Sequence, residues 1–125
     1  MTKEEKDLLL KDLCGRLPYG LKVLCLKDFN HDWYNLKMVD IEDNEVYLTG
    51  VEPYTNRYVE TEAVRPYLFP LSSMTPKQRD SYRFLTSSGH ASPTGLIEFF
   101  HKHHIDYRGL IPKGLANDAT DLNIY

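Results

Sequence analysis

The sequence predicts an α+β fold, with a small antiparallel sheet of three to five strands packed against three or four helices. Three observations point there. Helix start signals stand at the beginning of the chain and again in its second half. Alternating apolar patterns cluster between them, from about 21 to 61. Nowhere do strand and helix patterns alternate as a βαβ unit would require. The 125 residues fit one domain over 1–125, long enough to bury a core without metal or disulfide staples.

The first element is a helix. Thr2-Lys3-Glu4-Glu5 fits a capping box, and Gly15 is the natural stop. At 100° per residue Leu9, Leu10, Leu13 and Cys14 share one side, Glu4, Glu5, Lys11 and Asp12 the other, and Leu8 falls among the charges. Pro18-Tyr19-Gly20 is a turn. Leu21–Leu26 reads as a strand with two largely apolar faces, suited to the middle of a sheet. Asp28 to Asn35 reads as a polar and aromatic loop. Strands follow over 36–42 and 45–51, with Asp43-Asn44 as a two-residue turn and Pro53 closing the run. Arg57–Thr61 adds a short edge strand.

Pro66, Pro70 and Pro76 exclude a continuous helix over 65–76 and disfavour a central strand, so an extended segment over the core surface is expected. Thr75-Pro76-Lys77-Gln78 opens a helix to about Thr86, Ser87–His90 is a loop, and Ser92-Pro93 opens a further helix to about His104. Asp106 is placed to cap one more turn before Pro112. The stretch from about 117 reads as a flexible tail or a final short strand through Leu122 and Ile124. Periodicity gathers Leu9, Leu13, Leu21, Val23, Val46, Leu48, Leu96 and Phe100 into one core.

Charge and composition exclude several functions. There are 15 basic and 18 acidic residues, a net charge of −3. Residues 1–62 carry 8 Lys/Arg against 13 Asp/Glu, or −5, and residues 63–125 carry 7 against 5, or +2. Acidic balance disfavours nucleic acid, whose affinity rests on neutralised phosphates. No apolar run reaches the length of a membrane span, and the opening lacks a signal-peptide pattern, so a cytoplasmic protein is expected. Cys14 and Cys25 lack CxxC spacing and read as buried, quiet thiols.

His101 and His104 have the i,i+3 spacing of a helical metal pair, with His103 between them. No third ligand stands near in sequence beyond Asp106 or His90. His104 falls in the stripe of Leu96, Ile97 and Phe100, which favours a packed, hydrogen-bonded histidine and no metal site. Ser72, Ser73, Ser88 and Ser92 sit at turns and helix starts without a GxSxG frame, so no catalytic residue is assigned. There is no GxGxxG and no P-loop, hence no cofactor. Arginine stands beside or one residue from tyrosine at Arg57-Tyr58, Arg65-Pro66-Tyr67, Tyr82-Arg83 and Tyr107-Arg108. Such interleaving serves single-stranded nucleic acid or nucleotides, but the acidic net charge favours the other reading, half-buried tyrosines with surface ion pairs. Trp33 suits core packing and Tyr34 contact with a partner. Asp106-Tyr107-Arg108-Gly109 reads as a clasp. Asp106 caps, Tyr107 packs on Pro66–Leu71, and Arg108 pairs with an acid of the sheet half; the alternative is that Tyr107 and Arg108 face solvent and grip a ligand.

Three segments, MTKEEKDLLLKDLCGRLPYG, RPYLFPLSSMT (Arg65 to Thr75) and HHIDYRGLIPKGLAND (His103 to Asp118), carry a resemblance covering most of the chain. It resembles a family of small proteins encoded among prophage and mobile-element genes of gut anaerobic bacteria. The resemblance brings no catalytic residue and no cofactor with it, and the tail after Leu115 departs from the family pattern. It implies a cytosolic protein in a phage-like genetic setting. The function expected is a non-enzymatic protein-interaction or regulatory module. Its candidate surface is Leu8, Tyr34, Arg79, Arg83, Tyr107 and Arg108. The alternative is nucleic-acid or nucleotide binding through the arginine–tyrosine face.

Overall fold

Thr2 starts the first helix as its sequence demands. Its hydroxyl accepts from the Glu5 amide at 3.1 Å, and the Glu5 carboxylate accepts from the Thr2 amide at 2.9 Å. The computed structural model describes residues 1–27, 33–50, 56–87, 89 and 92–125. Helix α1 spans Lys3–Arg16 and runs on into a 3-10 turn over Leu17–Tyr19. Gly15 is therefore not the stop. The residue in the left-handed region is Gly20, at φ 71°. Gly15 serves a different need, since a Cβ there would lie 2.6 Å from Cε1 of His101. The ring of a distant residue packs on bare helix backbone.

The buried stripe of α1 is Leu9, Asp12, Leu13 and Arg16. These are positions i, i+3, i+4 and i+7, one face of a helix. Asp12 thus belongs inside, and not among the exposed charges of the opposite face. Leu10 and Cys14 are half-buried at the flanks.

The described residues form a six-stranded mixed sheet in the order β4-β3-β2-β1-β5-β6. Its strands are β1 (Lys22–Cys25), β2 (Tyr34–Asp40), β3 (Glu45–Thr49), β4 (Arg57–Glu60), β5 (Val64–Leu68) and β6 (Asn117–Asp118). The count exceeds the expected three to five because the proline-rich stretch and the tail each add a strand. Strand β1 lies inside the sheet, between β2 and β5, as its two apolar faces suggested. The β2–β3 reversal occupies 41–44 rather than two residues. Asn44 takes φ 53°, and the Asp40 carboxylate accepts from the Asp43 amide at 3.1 Å. Strand β4 is an edge, as expected. Pro53, Phe29 and the loop over 28–32 lie outside the described residues.

Pro66 sits within β5, opposite Val23 of β1. A proline is tolerated there because the outer neighbour β6 pairs only with Tyr67 and Leu68. That pairing is parallel, so the sheet is mixed rather than antiparallel, and Leu122 and Ile124 form no strand. Helix α2 spans Pro76–Thr86 behind a full Thr75–Gln78 capping box. Helix α3 spans Pro93–Lys102, with Ser92 accepting from the Gly95 amide. It ends before His104, which takes φ 58°.

The core is two clusters rather than one. Leu9, Leu13, Leu21, Val23, Val46 and Leu48 share the larger cluster between α1 and the sheet, with Tyr34, Leu36, Leu68 and Leu110. Phe100 belongs to a second, with Phe99 and Ile105, against which Leu96, Tyr82 and Leu85 are half-buried. The division follows from α3 packing on α2 and on residues after its own end.

Leu13→Ala is expected to lose about 2–5 kcal/mol of stability, as truncations in cores do. Gly15→Val is expected to lose about 1–3 kcal/mol, because its side chain meets the His101 ring. Urea unfolding measures both; a wild-type midpoint for either variant would contradict this packing.

Candidate functional site

The most elaborate side-chain arrangement joins α1 to the residues after α3. Arg16 is fully buried. Its Nε donates to Asp12 at 2.9 Å, Nη2 to the Ile105 carbonyl at 2.6 Å and Nη1 to the Phe100 carbonyl at 3.4 Å. Arg108 donates from Nε to the other Asp12 oxygen at 3.2 Å. Burial pushes the Asp12 carboxyl up, and the Arg16 and Arg108 guanidiniums pull it back. Guanidiniums do not deprotonate, so loss of the Asp12 charge would strand two cations in a dry site.

The stretch 106–109 is the expected clasp, with two changes of partner. Asp106 accepts from the amides of Leu110 at 2.8 Å and Ile111 at 2.9 Å. Tyr107 stacks mainly on Phe100, with centroids 5.0 Å apart, while also lining a cleft beside Pro70 and Leu71. Arg108 pairs with an acid of the first half, but on α1 rather than the sheet. Asp12 was reachable only by reading Asp12 and Arg16 as an i,i+4 pair continuing the Leu9–Leu13 stripe.

The histidines do not converge. His101 Nε2 lies 3.0 Å from the Tyr107 hydroxyl. His104 stacks on Tyr125 at 3.8 Å, and its buried Nδ1 has no hydrogen-bond partner, so it is packed but not hydrogen-bonded through that nitrogen. His103 meets the Phe99 ring edge-on. Among the described residues no three His, Cys, Asp or Glu side chains gather as a metal would require; His90 lies outside them. Burial and then the Arg16 charge lower both His101 and His104 to about 4. Tyr125 holds its end of the stack by donating to the Tyr67 carbonyl at 2.9 Å and accepting from the Lys22 amide at 2.8 Å. Residues after 117 are thereby anchored at Tyr125.

Cys25 is buried and Cys14 half-buried, the latter thiol pushed up by burial. Ser92 and Ser73 serve backbone groups, Ser73 donating to the Pro70 carbonyl at 2.7 Å. Ser88 lies outside the described residues.

Of the six candidate surface residues, only the two arginines of α2 stand exposed. Leu8 is half-buried against the main core. Tyr34 is buried, because the inward alternation of β2 starts at Tyr34 and continues at Leu36. Trp33 is the partly exposed member of that pair, with the Lys22 ammonium 4.6 Å from its ring centroid. Tyr107 and Arg108 are spent in the clasp. Arg79 reaches the Ser72 carbonyl at 3.3 Å and Arg83 lies 3.8 Å from Asp80, both at the surface. The four arginine–tyrosine pairs sit on β4, β5, α2 and the clasp. The Arg65 guanidinium is engaged by the carbonyls of Glu62, Val64 and Gly114.

Sequence reasoning missed the groove between α2 and α3. It holds about 660 Å³ and is lined by Tyr19, Phe84, Leu85 and Phe99, with Asp80, Glu98 and Lys102 among its polar lining. Phe84 is 59% exposed, and α2 contributes no fully buried residue. Its sequence signal is the apolar pair Phe84-Leu85 directly after Tyr82-Arg83. No helix among the described residues is long and apolar enough to cross a membrane. No family model, no curated protein and no solved structure matches the chain.

Unfolded histidines titrate near pH 6.5. Between there and about pH 4 the unfolded chain binds more protons than the folded one at 101 and 104, so stability falls as pH falls through that window. Both histidines contribute to that loss. His104→Asn keeps a residue tolerant of positive φ and removes one titration. Urea midpoints across the window are expected to fall steeply in the wild type and less steeply in the variant; equal slopes would contradict the assignment.

Proposed function

We propose that the protein is a non-enzymatic protein-interaction or regulatory module that docks an apolar side chain of a protein partner in the groove between α2 and α3. The observation carrying this reading is α2 itself. A capping box fixes the start of the helix, its Tyr82 and Leu85 are only half-buried against the second cluster, and Phe84 and Leu85 face a concave apolar site with Phe99. Concave apolar surface with polar groups around it suits a protein anchor residue. The resemblance to prophage and mobile-element proteins supports a cytosolic host or phage protein as partner. Internal engagement of Arg65 and Arg108 disfavours the nucleic-acid alternative.

Phe84→Glu is expected to change stability by no more than about 0.5 kcal/mol, as surface substitutions do. Native mass spectrometry of protein drawn from its own cytosol is expected to show a protein partner on the wild type and none on Phe84→Glu. A bound nucleotide or nucleic acid, or a partner retained equally by both, would overturn the reading.

A further inference from the structure

The sheet presents a second surface, unrelated to the α2–α3 groove. Along β3 and β4, and along β2 beyond its bulge, the residues alternate, and the register aligns them into rows across the three strands. Val39, Val46 and Val59 form a row on the core side. On the other side Met38 lies opposite Tyr47, and Tyr47 opposite Tyr58. The two tyrosine rings are 4.7 Å apart at their centroids. Met38 is 41% and Tyr58 60% exposed, so among the described residues this row is a broad apolar strip open to solvent. The register bulge between Leu36 and Met38 gives the strip its composition, because it re-aims Met38 outward beside Tyr47.

The next row on the same side is Asp40, Glu45 and Glu60, each directly opposite its neighbour. Like charges directly opposite on adjacent strands destabilise a sheet. One cation already answers this row, the Lys27 ammonium on Glu60 at 2.5 Å. One Asp40 oxygen caps the 41–44 turn. Glu45 receives no cation from any described residue. Beside the row lies a hollow of about 320 Å³, lined by the acids Asp43, Glu45 and Glu60 and the cations Lys27 and Arg57, with Tyr58. An aromatic strip bordered by an acidic row is complementary to a chain carrying apolar side chains next to lysine or arginine.

We infer that the outer face of β2–β3–β4 is a docking surface for a basic, apolar-anchored segment of another protein, its apolar side chains on Met38, Tyr47 and Tyr58 and its cations on Glu45 and on the Glu60 carboxylate that it would share with Lys27. Charge complementarity selects this occupant. The acidic row of Asp40, Glu45 and Glu60 steers a basic segment toward this face and repels an acidic one. The contact needs no concavity deeper than the hollow, because stacked tyrosines provide rigid area at small entropic cost.

The test uses fluorescence anisotropy with a short synthetic peptide alternating lysine and leucine, and a matched glutamate–leucine peptide. The lysine peptide is expected to bind, more weakly as salt rises, and the glutamate peptide not to bind. E45Q/E60Q is expected to weaken binding about tenfold and flatten its salt dependence. Tyr58→Ala is expected to weaken it with the salt dependence retained. E4Q/D7Q on α1 removes the same two charges elsewhere and is expected to leave binding within about twofold. Equal losses in the two double variants would show unspecific attraction and overturn the proposal. So would absence of lysine-peptide binding at low salt, or a concentration-dependent dimer whose interface is lost in Tyr58→Ala. Phe84→Glu is expected to leave peptide binding unchanged, so this surface stands or falls separately from the groove.

Discussion

Arg16 is the interaction on which the rest of the structure depends. A fully buried guanidinium is tolerable only when its donors are met, and here they are met by Asp12 on its own helix and by the carbonyls of Phe100 and Ile105 far along the chain. Those bonds fix where α3 ends relative to α1. From that point the chain is committed. His104 enters the left-handed region, Ile105 pairs with Phe69 beyond the end of β5, and Asp106 turns the chain through Leu110 and Ile111. Leu110 then reaches the main core, and Asn117 reaches the outer edge of β5. The two hydrophobic clusters are separate in side-chain contact, and this polar link ties them together.

Local signals were legible in the sequence, and long-range ones were not. Thr2, Thr75 and Ser92 announced three helix starts because a cap is satisfied within four residues of itself. The alternation of β1 and β3 was legible because one face is buried along each strand. Asp12 misled because a helical wheel sorts by polarity, and a buried ion pair places polarity inside. Gly15 misled because a glycine stop and a glycine cradle look identical until His101 is known to lie against it. Pro66 misled because its acceptability depends on where β6 begins, a fact set fifty residues later. Tyr34 and Trp33 were exchanged because the phase of β2 is fixed by pairing with β1 and β3, and their shared loop context carries no phase.

The same reasoning separates surface from scaffold. Tyr107 and Arg108 look like ligand-gripping residues in sequence and are consumed by the clasp. Apolar groups left for contact include those of the α2–α3 groove and of the outer face of β2–β3–β4, on secondary-structure elements outside the clasp. Burial also lowers the affinity of His101 and His104 for a proton. His101 and His104 sit near Arg16, whose charge opposes a second cation in the same dry space.

A double-mutant cycle between Asp12 and Arg108 tests the central role of this buried network most directly. Asp12→Asn and Arg108→Gln, alone and together, give the coupling free energy from urea unfolding. The arrangement predicts a coupling on the order of 1–3 kcal/mol, as found for contacting residues of one ion-pair network. Strict additivity, with the double variant losing the sum of the single losses, would contradict the claim that Asp12 holds α1 to the chain beyond α3.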